Sequence, residues 1–150
     1  MIALADEFAT EDFAAQVATS MRPGDWIALD GELGAGKTSF VRGLARGLGI
    51  DPRIVASPTF ITMQTYGGGR MPLVHIDVWR LKDLDELESI GWNDLIKSRD
   101  RVIVVEWARR IAEQLPAKRL SIQLEFVAPM GDSARTTRNA TILDQRDLLA

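Results

Sequence analysis

The stretch GELGAGKT, residues 31–38, decides which fold this sequence predicts. It matches the phosphate-binding pattern G-x-x-x-x-G-K-[ST], which requires a strand before it and a helix after it. The apolar residues 26–29 supply the strand, and a helical pattern over residues 39–48 follows the loop. An ordinary glycine-rich turn is the alternative, but such a turn does not require these neighbours. We therefore interpret residues 31–38 as a loop that binds phosphate groups.

The residue types in this loop suit one ligand chemistry. Gly31, Gly34 and Gly36 let the backbone curl so that its N–H groups point inward at a phosphate. The positive end of the following helix adds to this field. Lys37 is then placed to reach the β- and γ-phosphates, and Thr38 offers its hydroxyl to Mg²⁺. The loop therefore predicts a nucleoside triphosphate with magnesium as the ligand.

Length and charge limit the range of functions. The chain has 150 residues and a mass of 16.6 kDa, and we expect a single domain over residues 1–150. Lysine and arginine number 18 against 21 aspartate and glutamate residues, which gives a net charge of −3. Overall charge therefore cannot hold nucleic acid, and an RNA role requires a local basic patch or a partner protein.

Composition also predicts where the protein works. The sequence has no cysteine, which excludes a disulfide partner and thiolate metal sites and suits an intracellular protein. The N-terminal segment carries acidic residues where a signal peptide carries basic ones. The longest apolar runs, such as residues 102–105, are far too short to cross a bilayer. We expect a cytoplasmic protein without a membrane anchor.

The alternation of apolar strands with amphipathic helices predicts the fold class. The β-branched run 102–105 indicates a strand covered on both faces, as in a parallel sheet between helices. Residues 59–78 read as a hairpin around the glycines at 67–69. Residues 120–126 alternate in polarity and predict a half-exposed strand whose partner lies within 136–143. We predict an α/β, three-layer P-loop NTPase fold with a mainly parallel central sheet and an antiparallel extension.

Capping residues and glycines give details of two helices. Thr10 is the predicted N-cap of a first helix that buries Phe13 and Ala14. In the helix after the phosphate loop, Gly43 and Gly47 cost helix propensity. We therefore expect these two glycines to permit close packing against a neighbouring element.

Two acidic residues end apolar strands at the edge where the ligands of parallel sheets bind. Glu106 follows the run 102–105. We favour a magnesium ligand over a surface acid at this position, because a carboxylate ending so apolar a strand is costly without a partner. Asp77 lies near the end of the strand 73–78 and is predicted to hold a magnesium-bound water or to orient the attacking nucleophile.

Two further residues leave structural and functional roles open. His75, the only histidine, shares a strand face with Asp77. An imidazole inside a strand is more often a structural group than a catalytic one. Thr59 lies downstream of the phosphate loop, where a switch threonine would sense the γ-phosphate and Mg²⁺, but it also suits a simple turn that leads into a strand.

Aromatic and basic residues near these acids are candidates for ligand or partner contacts. Trp79 and Trp107 follow the two acids closely and either wall the site or anchor a partner. The acidic segment 83–88 belongs to the same candidate partner surface. Several arginines are candidate phosphate clamps, although most arginines are merely solvated: Arg80, Arg109, Arg110, Arg135 and Arg138.

Five sequence motifs resemble one known family. In chain order they are GELGAGKT, SPTF, HIDVWRL, DELESIG and VVEW, and the similarity runs from about residue 4 to residue 138. This set resembles the bacterial tRNA threonylcarbamoyladenosine biosynthesis ATPase family TsaE, also called YjeE. The resemblance implies binding of ATP and Mg²⁺, slow hydrolysis by the protein alone, and action with a TsaD–TsaB complex. That complex completes threonylcarbamoyl transfer onto adenosine 37 of tRNA, so tRNA is an indirect partner.

The resemblance also implies site residues. Lys37, Asp77 and Glu106 would carry hydrolysis, with Thr38 and Glu106 holding Mg²⁺. Phe8 would pack on the adenine, and Arg109 and Arg135 would make further nucleotide contacts. The phosphates would be contacted by the end of the loop and the start of the helix: Gly34, Ala35, Gly36, Lys37, Thr38 and Ser39.

The sequence departs from the family pattern at two positions. Trp79 stands where the family usually has tyrosine, and Ala108 stands where proline usually follows the Glu-Trp pair.

A small-molecule kinase is one alternative function, although no lid or acceptor segment is evident. A nucleotide-gated binding module that does not hydrolyse ATP is the other. The guanine-reading motif N-K-x-D is absent from the sequence, which favours ATP over GTP.

Overall fold

The computed structural model describes residues 1–56, 63–127 and 137–147. The strands are β1 Ile2–Leu4, β2 Trp26–Asp30, β3 Met63–Tyr66, β4 Leu73–Asp77, β5 Val102–Glu106, β6 Leu120–Val127 and β7 Thr137–Asp144. The helices are α1 Glu7–Thr19, α2 Lys37–Gly47, α3 Asp85–Ser89 and α4 Trp92–Lys97, with 3₁₀ turns at Pro52–Ile54 and Ala108–Gln114. Within the described residues the strands form one seven-stranded sheet in the order β1-β7-β6-β2-β5-β4-β3.

Parallel strands form the centre of the sheet, and antiparallel strands extend both edges. β2 pairs in parallel with β5 and β6, and β4 pairs in parallel with β5. β3 is antiparallel to β4 at one edge, and β7 and β1 are antiparallel at the other. The predicted α/β fold with a mainly parallel central sheet and an antiparallel extension is confirmed. Residues 59–62 of the predicted hairpin lie outside the described residues.

Helices cover both faces of this sheet. Alternate residues of β4 divide between two cores: Leu73 packs with α1 and α2, whereas Val74 and Ile76 pack with α3 and α4. β5 is buried along its whole length, because it has a parallel neighbour on each side and helices over each face. The carboxyl ends of β2, β4 and β5 therefore meet at one edge, next to the loop at residues 31–38.

Two glycines let α1 and α2 approach closely. A methyl group on Gly43 would overlap the carbonyl oxygen of Glu11, and one on Gly47 would come within 2.5 Å of the Ala18 methyl group. Neither overlap can be relieved by turning a flexible side chain, because the atoms that are met belong to backbone and to a short methyl group. The prediction that these glycines permit close packing is confirmed.

The first helix begins one turn earlier than the sequence predicted. Asp6, in an extended conformation, is the N-cap of α1, and its Oδ1 accepts a hydrogen bond from the Ala9 N–H at 2.8 Å. Thr10 is therefore not the N-cap. It lies buried inside the helix, where its hydroxyl donates to the Asp6 carbonyl oxygen at 3.3 Å. The earlier start places Glu7 and Phe8 in the first turn of α1, beside the phosphate loop.

The helices on the second face are short. Asp83 accepts a hydrogen bond from the Glu86 N–H at 3.2 Å before α3, and Gly91 separates α3 from α4 with a φ of 81°. Trp92 of α4 is buried edge-on against Trp26 of β2, with ring centroids 5.2 Å apart. In the part of the chain that the structure describes, no helix combines the length and apolar character that a membrane span requires.

Candidate nucleotide-binding site

The loop between β2 and α2 depends on two glycines in the left-handed conformation. Gly34 has a φ of 82° and Gly36 a φ of 99°, a region that residues with a Cβ atom rarely adopt. Gly36 is also the N-cap of α2, so the first N–H groups of that helix, which have no partner within it, open onto the loop. Inward N–H groups and a helix N-terminus together form an anion-binding cradle.

Lys37 lies over this loop in a buried position. Its ammonium donates to the carbonyl oxygens of Gly31 at 2.5 Å and Glu32 at 3.0 Å. Its Nζ lies 4.1 Å from the ring centroid of Trp107. Burial lowers the pKa of this ammonium, and the surrounding carboxylates, Glu106 first, act against that shift. Backbone oxygens and an aromatic face thus hold the Lys37 ammonium at the loop.

Glu106 is a buried acid at the carboxyl end of β5. Only 3% of the residue is exposed, and its Oε2 lies 2.5 Å from Nε2 of His75, which is fully buried. A carboxylate in such a place requires a hydrogen-bonding or charged partner. Sequence reasoning predicted that Glu106 would have a partner but did not identify His75 as that partner.

Asp77 stands directly beside Glu106, because the parallel register of β4 and β5 pairs these two residues. Its Oδ1 accepts a hydrogen bond from the Trp79 N–H at 2.8 Å. Burial raises the pKa of the Asp77 carboxyl, and the negative charge of Glu106 raises it further. The Trp79 hydrogen bond, His75 and Lys37 act in the opposite direction. Two acids in one register position form an electronegative wall facing Lys37.

These groups line one cleft of about 360 Å³ at the carboxyl edge of the sheet. The cleft brings together most of the residues that the sequence predicted for phosphate and metal binding: Gly34, Gly36, Lys37, Thr38, Ser39, Asp77 and Glu106. Ala35 does not line the cleft: its methyl group is buried in the core, and its backbone N–H donates to the Glu32 carbonyl oxygen at 3.0 Å. The predicted residues that line the cleft supply it with backbone N–H donors, one ammonium, two hydroxyls and two carboxylates.

Three charged residues of the cleft come from other parts of the chain. Glu7 of α1 accepts a hydrogen bond from the Ser39 hydroxyl at 3.0 Å and lies 3.6 Å from Arg42. Arg138 of β7 donates to the Gly34 carbonyl oxygen at 3.1 Å and 3.3 Å. Sequence reasoning included Arg138 among the candidate clamps but missed Glu7 and Arg42. The spacing of Arg42 one turn after Thr38 and Ser39 on α2 was the signal for Arg42.

The oxygen donors of the cleft fit a magnesium ion shared with a nucleotide. Thr38, Asp77 and Glu106 all line it. Among the described residues there is no group of three or more His, Asp and Glu side chains that could hold a metal ion by itself. Magnesium in nucleotide sites takes one or two protein oxygens and completes its shell with phosphate oxygens and water. The donor set therefore suits a metal that arrives with phosphates.

One protein-family model matches most of the chain. The family model described as "Threonylcarbamoyl adenosine biosynthesis protein TsaE" matches residues 4–135. The chain belongs to the TsaE family. The resemblance inferred from the five sequence motifs is thereby confirmed.

Relatives of known name support the assignment to TsaE. A Bacillus subtilis protein named "tRNA threonylcarbamoyladenosine biosynthesis protein TsaE" is 46% identical over 140 residues, covering 93% of this chain and 84% of that protein. A Streptomyces coelicolor protein of the same name is 40% identical over 130 residues, covering 85% and 84%. The crystal structure of Bacillus subtilis YdiB matches with a TM-score of 0.72 at 33% identity, covering 98% of this chain and 86% of that one.

The nucleotide contacts inferred from the TsaE resemblance fall in different places. Phe8 is 75% exposed in the first turn of α1, next to Glu7 at the cleft. The backbone N–H of Arg109 donates to Asp30 at 2.9 Å, and its guanidinium donates to Gln123 at 2.7 Å. This places Arg109 in a second groove rather than in the cleft. Arg135 and Thr59 lie outside the described residues, so their roles stay predictions.

Two tryptophans separate the cleft from that second groove. The groove has a volume of about 820 Å³ and shares Trp107 with the cleft. Trp107 has a φ of 59°, the only positive φ at a non-glycine residue in the described ranges. Its ring lies 4.3 Å from that of Trp79, which is 49% exposed. Trp107 therefore walls the site, and Trp79 presents an open aromatic face beside it.

Proposed function

We propose that this chain binds and hydrolyses ATP with Mg²⁺ as the nucleotide-dependent component of tRNA threonylcarbamoyladenosine biosynthesis, acting with TsaD- and TsaB-like partners on adenosine 37. The observation that carries the proposal is the register that sets Asp77 beside Glu106 at the cleft of the phosphate loop. The names of the family and of its relatives supply the pathway. A single domain, residues 1–150, would contain all of the nucleotide-binding groups.

Backbone groups would hold the phosphates. Gly34 and Gly36 line the cleft at the N-terminus of α2, so their backbone N–H groups would contact phosphate oxygens without using a side chain. Ala35 would join them once its N–H releases the Glu32 carbonyl oxygen, to which it donates at 3.0 Å. Lys37 would turn its ammonium from the carbonyls of Gly31 and Glu32 toward the β- and γ-phosphates. This exchange replaces neutral acceptors with charged ones.

Thr38 and Glu106 would bind the metal, and Asp77 would act on the attacking water. Thr38 and Glu106 would hold Mg²⁺, which neutralises charge on the transferred phosphoryl group. Asp77 would orient the attacking water. Because burial raises the pKa of Asp77, its carboxylate is a stronger base than that of an exposed aspartate and is better suited to accept a proton from that water.

Residues outside the cleft would recognise the base and the partners. Phe8, which is exposed next to Glu7 in the first turn of α1, would stack on the adenine, and Arg135 would make a further nucleotide contact. Arg109 would have to release Gln123 and reach past Trp107 from the second groove to contact the nucleotide. Trp79, with an open face next to Trp107, would anchor a TsaD–TsaB-like complex. Since tRNA is the substrate of that complex, we propose that the protein acts in the cytoplasm and meets tRNA only through its partners.

Phosphate release provides the test. The rate is measured for this protein, for its cognate TsaD–TsaB-like partners and for the mixture, with ATP and Mg²⁺ at equal concentrations throughout. We expect slow release by the protein alone and a rate in the mixture well above the sum of the separate rates, because partners complete the transition-state geometry in trans. A mixture rate equal to that sum would contradict the proposal, as would transfer of phosphate to a small acceptor.

A further inference from the structure

His75 occupies a fully buried position on the sheet face that α1 and α2 cover. Its strand neighbours on that face, Leu73 and Val104, are apolar core residues. Leucine or valine would fill such a position without the cost of burying an imidazole. The ring has two polar contacts, Nε2 to Oε2 of Glu106 at 2.5 Å and Nδ1 to the Tyr66 hydroxyl at 3.0 Å.

The partners of the two ring nitrogens determine where the proton lies. An ionised carboxylate only accepts hydrogen bonds, so Nε2 carries the hydrogen that is donated to Glu106. In a neutral ring the other nitrogen, Nδ1, is then an acceptor, and the Tyr66 hydroxyl, 3.0 Å away, is placed to donate to it. The Tyr66 hydroxyl lies 2.7 Å from Oε1 of Gln64 and 3.4 Å from the Ala56 carbonyl oxygen, and both of these atoms accept. Turning the Gln64 amide by 180° puts its NH₂ group at the nearer position, and the Tyr66 oxygen then accepts from Gln64 while it donates to Nδ1.

A chain of hydrogen bonds thus crosses three strands and ends at the cleft. It runs from Gln64 and Tyr66 on β3, through His75 on β4, to Glu106 on β5. Only the last member lines the cleft. Each group in such a chain fixes the orientation of the next, and the fixed end is the carboxylate that would meet Mg²⁺.

We propose that His75 is a positioning residue that holds the Glu106 carboxylate in the orientation for magnesium, and that Tyr66 fixes the ring with its Nε2–H toward Glu106. This inference rests on the proposed function, in which Glu106 is a magnesium ligand. It differs from a purely structural role, because loss of the Nε2–H donor changes the response to Mg²⁺ more than it changes metal-free nucleotide binding.

The first test is the protonation pattern of the ring. His75 is the only histidine in the sequence, so the imidazole nitrogen signals in a ¹⁵N NMR spectrum belong to it alone. We expect a hydrogen on Nε2 and none on Nδ1 in the wild type. With Tyr66→Phe the Glu106 carboxylate should still keep the hydrogen on Nε2, and the Nδ1 signal should shift because that nitrogen loses its hydrogen bond to the Tyr66 hydroxyl. A hydrogen on Nδ1 in the wild type would overturn the inference.

The second test compares nucleotide affinity in EDTA with affinity in Mg²⁺, measured by calorimetry with ATP. His75→Leu keeps the volume and removes the donor, whereas the amide of His75→Gln can still donate near the position of Nε2. We expect His75→Leu to reduce the magnesium-dependent gain in affinity about 10-fold or more and to leave the EDTA affinity little changed. His75→Gln should recover much of that gain.

The results distinguish a failure of the positioning role of His75 from a failure of the proposed function. If wild-type affinity does not respond to Mg²⁺, the proposed function fails and the positioning role falls with it. A wild-type response that survives His75→Leu overturns the positioning role alone. If His75→Leu does not fold, the comparison is made between wild type, Tyr66→Phe and His75→Gln. In that comparison an unchanged magnesium response in Tyr66→Phe, whose imidazole ring has lost its hydrogen bond at Nδ1, likewise overturns it.

Discussion

Lys37 lies between the phosphate loop and the ring of Trp107, with its Nζ 4.1 Å from the ring centroid and 2.5 Å from the Gly31 carbonyl oxygen. The same ammonium faces the carboxylates of Asp77 and Glu106 across the cleft, and both act to raise its pKa against the effect of burial. A nucleotide that draws Lys37 away must therefore interact with the ammonium more strongly than the two carbonyl oxygens and the aromatic ring do. Phosphate oxygens do so, because they carry negative charge, whereas the carbonyl oxygens and the ring that hold the ammonium are neutral.

Lys37→Ala should abolish tight ATP binding. The variant loses a charged hydrogen bond to phosphate, worth about 1.5–3 kcal/mol, which corresponds to roughly a 10- to 100-fold weaker Kd. Calorimetric titration with Mg-ATP measures the change. Lys82→Ala, at an exposed lysine away from the cleft, is the matched control and should bind as the wild type does. Equal Kd values for wild type and Lys37→Ala would show that the lysine does not contact the nucleotide.

Glu106→Ala should weaken the coupling between Mg²⁺ and hydrolysis more than it weakens nucleotide binding. Since the carboxylate would act through the metal, we expect hydrolysis to fall by more than about 10-fold while the Kd for ATP in EDTA stays close to that of the wild type. The measurement is phosphate release over a range of Mg²⁺ concentrations. Glu113→Ala, at an exposed glutamate, is the control. Full hydrolysis by Glu106→Ala would remove this residue from the mechanism.

The sequence predicted features that depend on local patterns. The glycines of the loop, the apolar run of β5 and the glycines that admit α1 each leave a short-range signal, and the structure contains all three features. The start of α1 was predicted wrongly because Thr10 and Asp6 are both good caps, and the choice depends on where the buried face of the helix lies.

Features that depend on the register between distant strands were harder to predict. The pair of His75 and Glu106 joins residues 31 positions apart in sequence, and no single-strand pattern specifies which residues of β4 and β5 stand side by side. The same reason explains why Glu7 was missed, since its contact with Ser39 requires α1 to pack against α2 in one specific position.

Gly43→Ala should destabilise the fold although alanine favours helices. The added methyl group would overlap the Glu11 carbonyl oxygen, so α1 must move away from α2, and overpacking of this kind costs about 1–3 kcal/mol. We expect the Tm in thermal unfolding to fall by several degrees. Gly67→Ala, where no atom lies within 4 Å of the added carbon, is the control. An unchanged Tm for Gly43→Ala would mean that the two helices are not held in this close contact.

Asp77→Asn should stabilise the protein in the absence of nucleotide and Mg²⁺, and more so as pH rises. Burial raises the pKa of Asp77 above the ordinary value of 3.8, so the folded state binds this proton more tightly than the unfolded state. The stability that depends on the protonated carboxyl is present below pH 3.8 and is lost as pH rises through the raised pKa. Asparagine has no charge to bury and can still accept the hydrogen bond from the Trp79 N–H.

Thermal unfolding in EDTA is measured at a pH on the acid side of that raised pKa and at neutral pH. The Tm difference between Asp77→Asn and wild type should therefore grow with pH, whereas the exposed Glu113→Gln should differ little from wild type at either pH. With Mg-ATP added, the wild type should have the higher Tm. The ionised Asp77 carboxylate then lies near hydrated Mg²⁺ and is stabilised by its charge, whereas the neutral asparagine amide gains no such interaction. A Tm difference that is constant with pH would show that ionised Asp77 carries no cost in the folded protein.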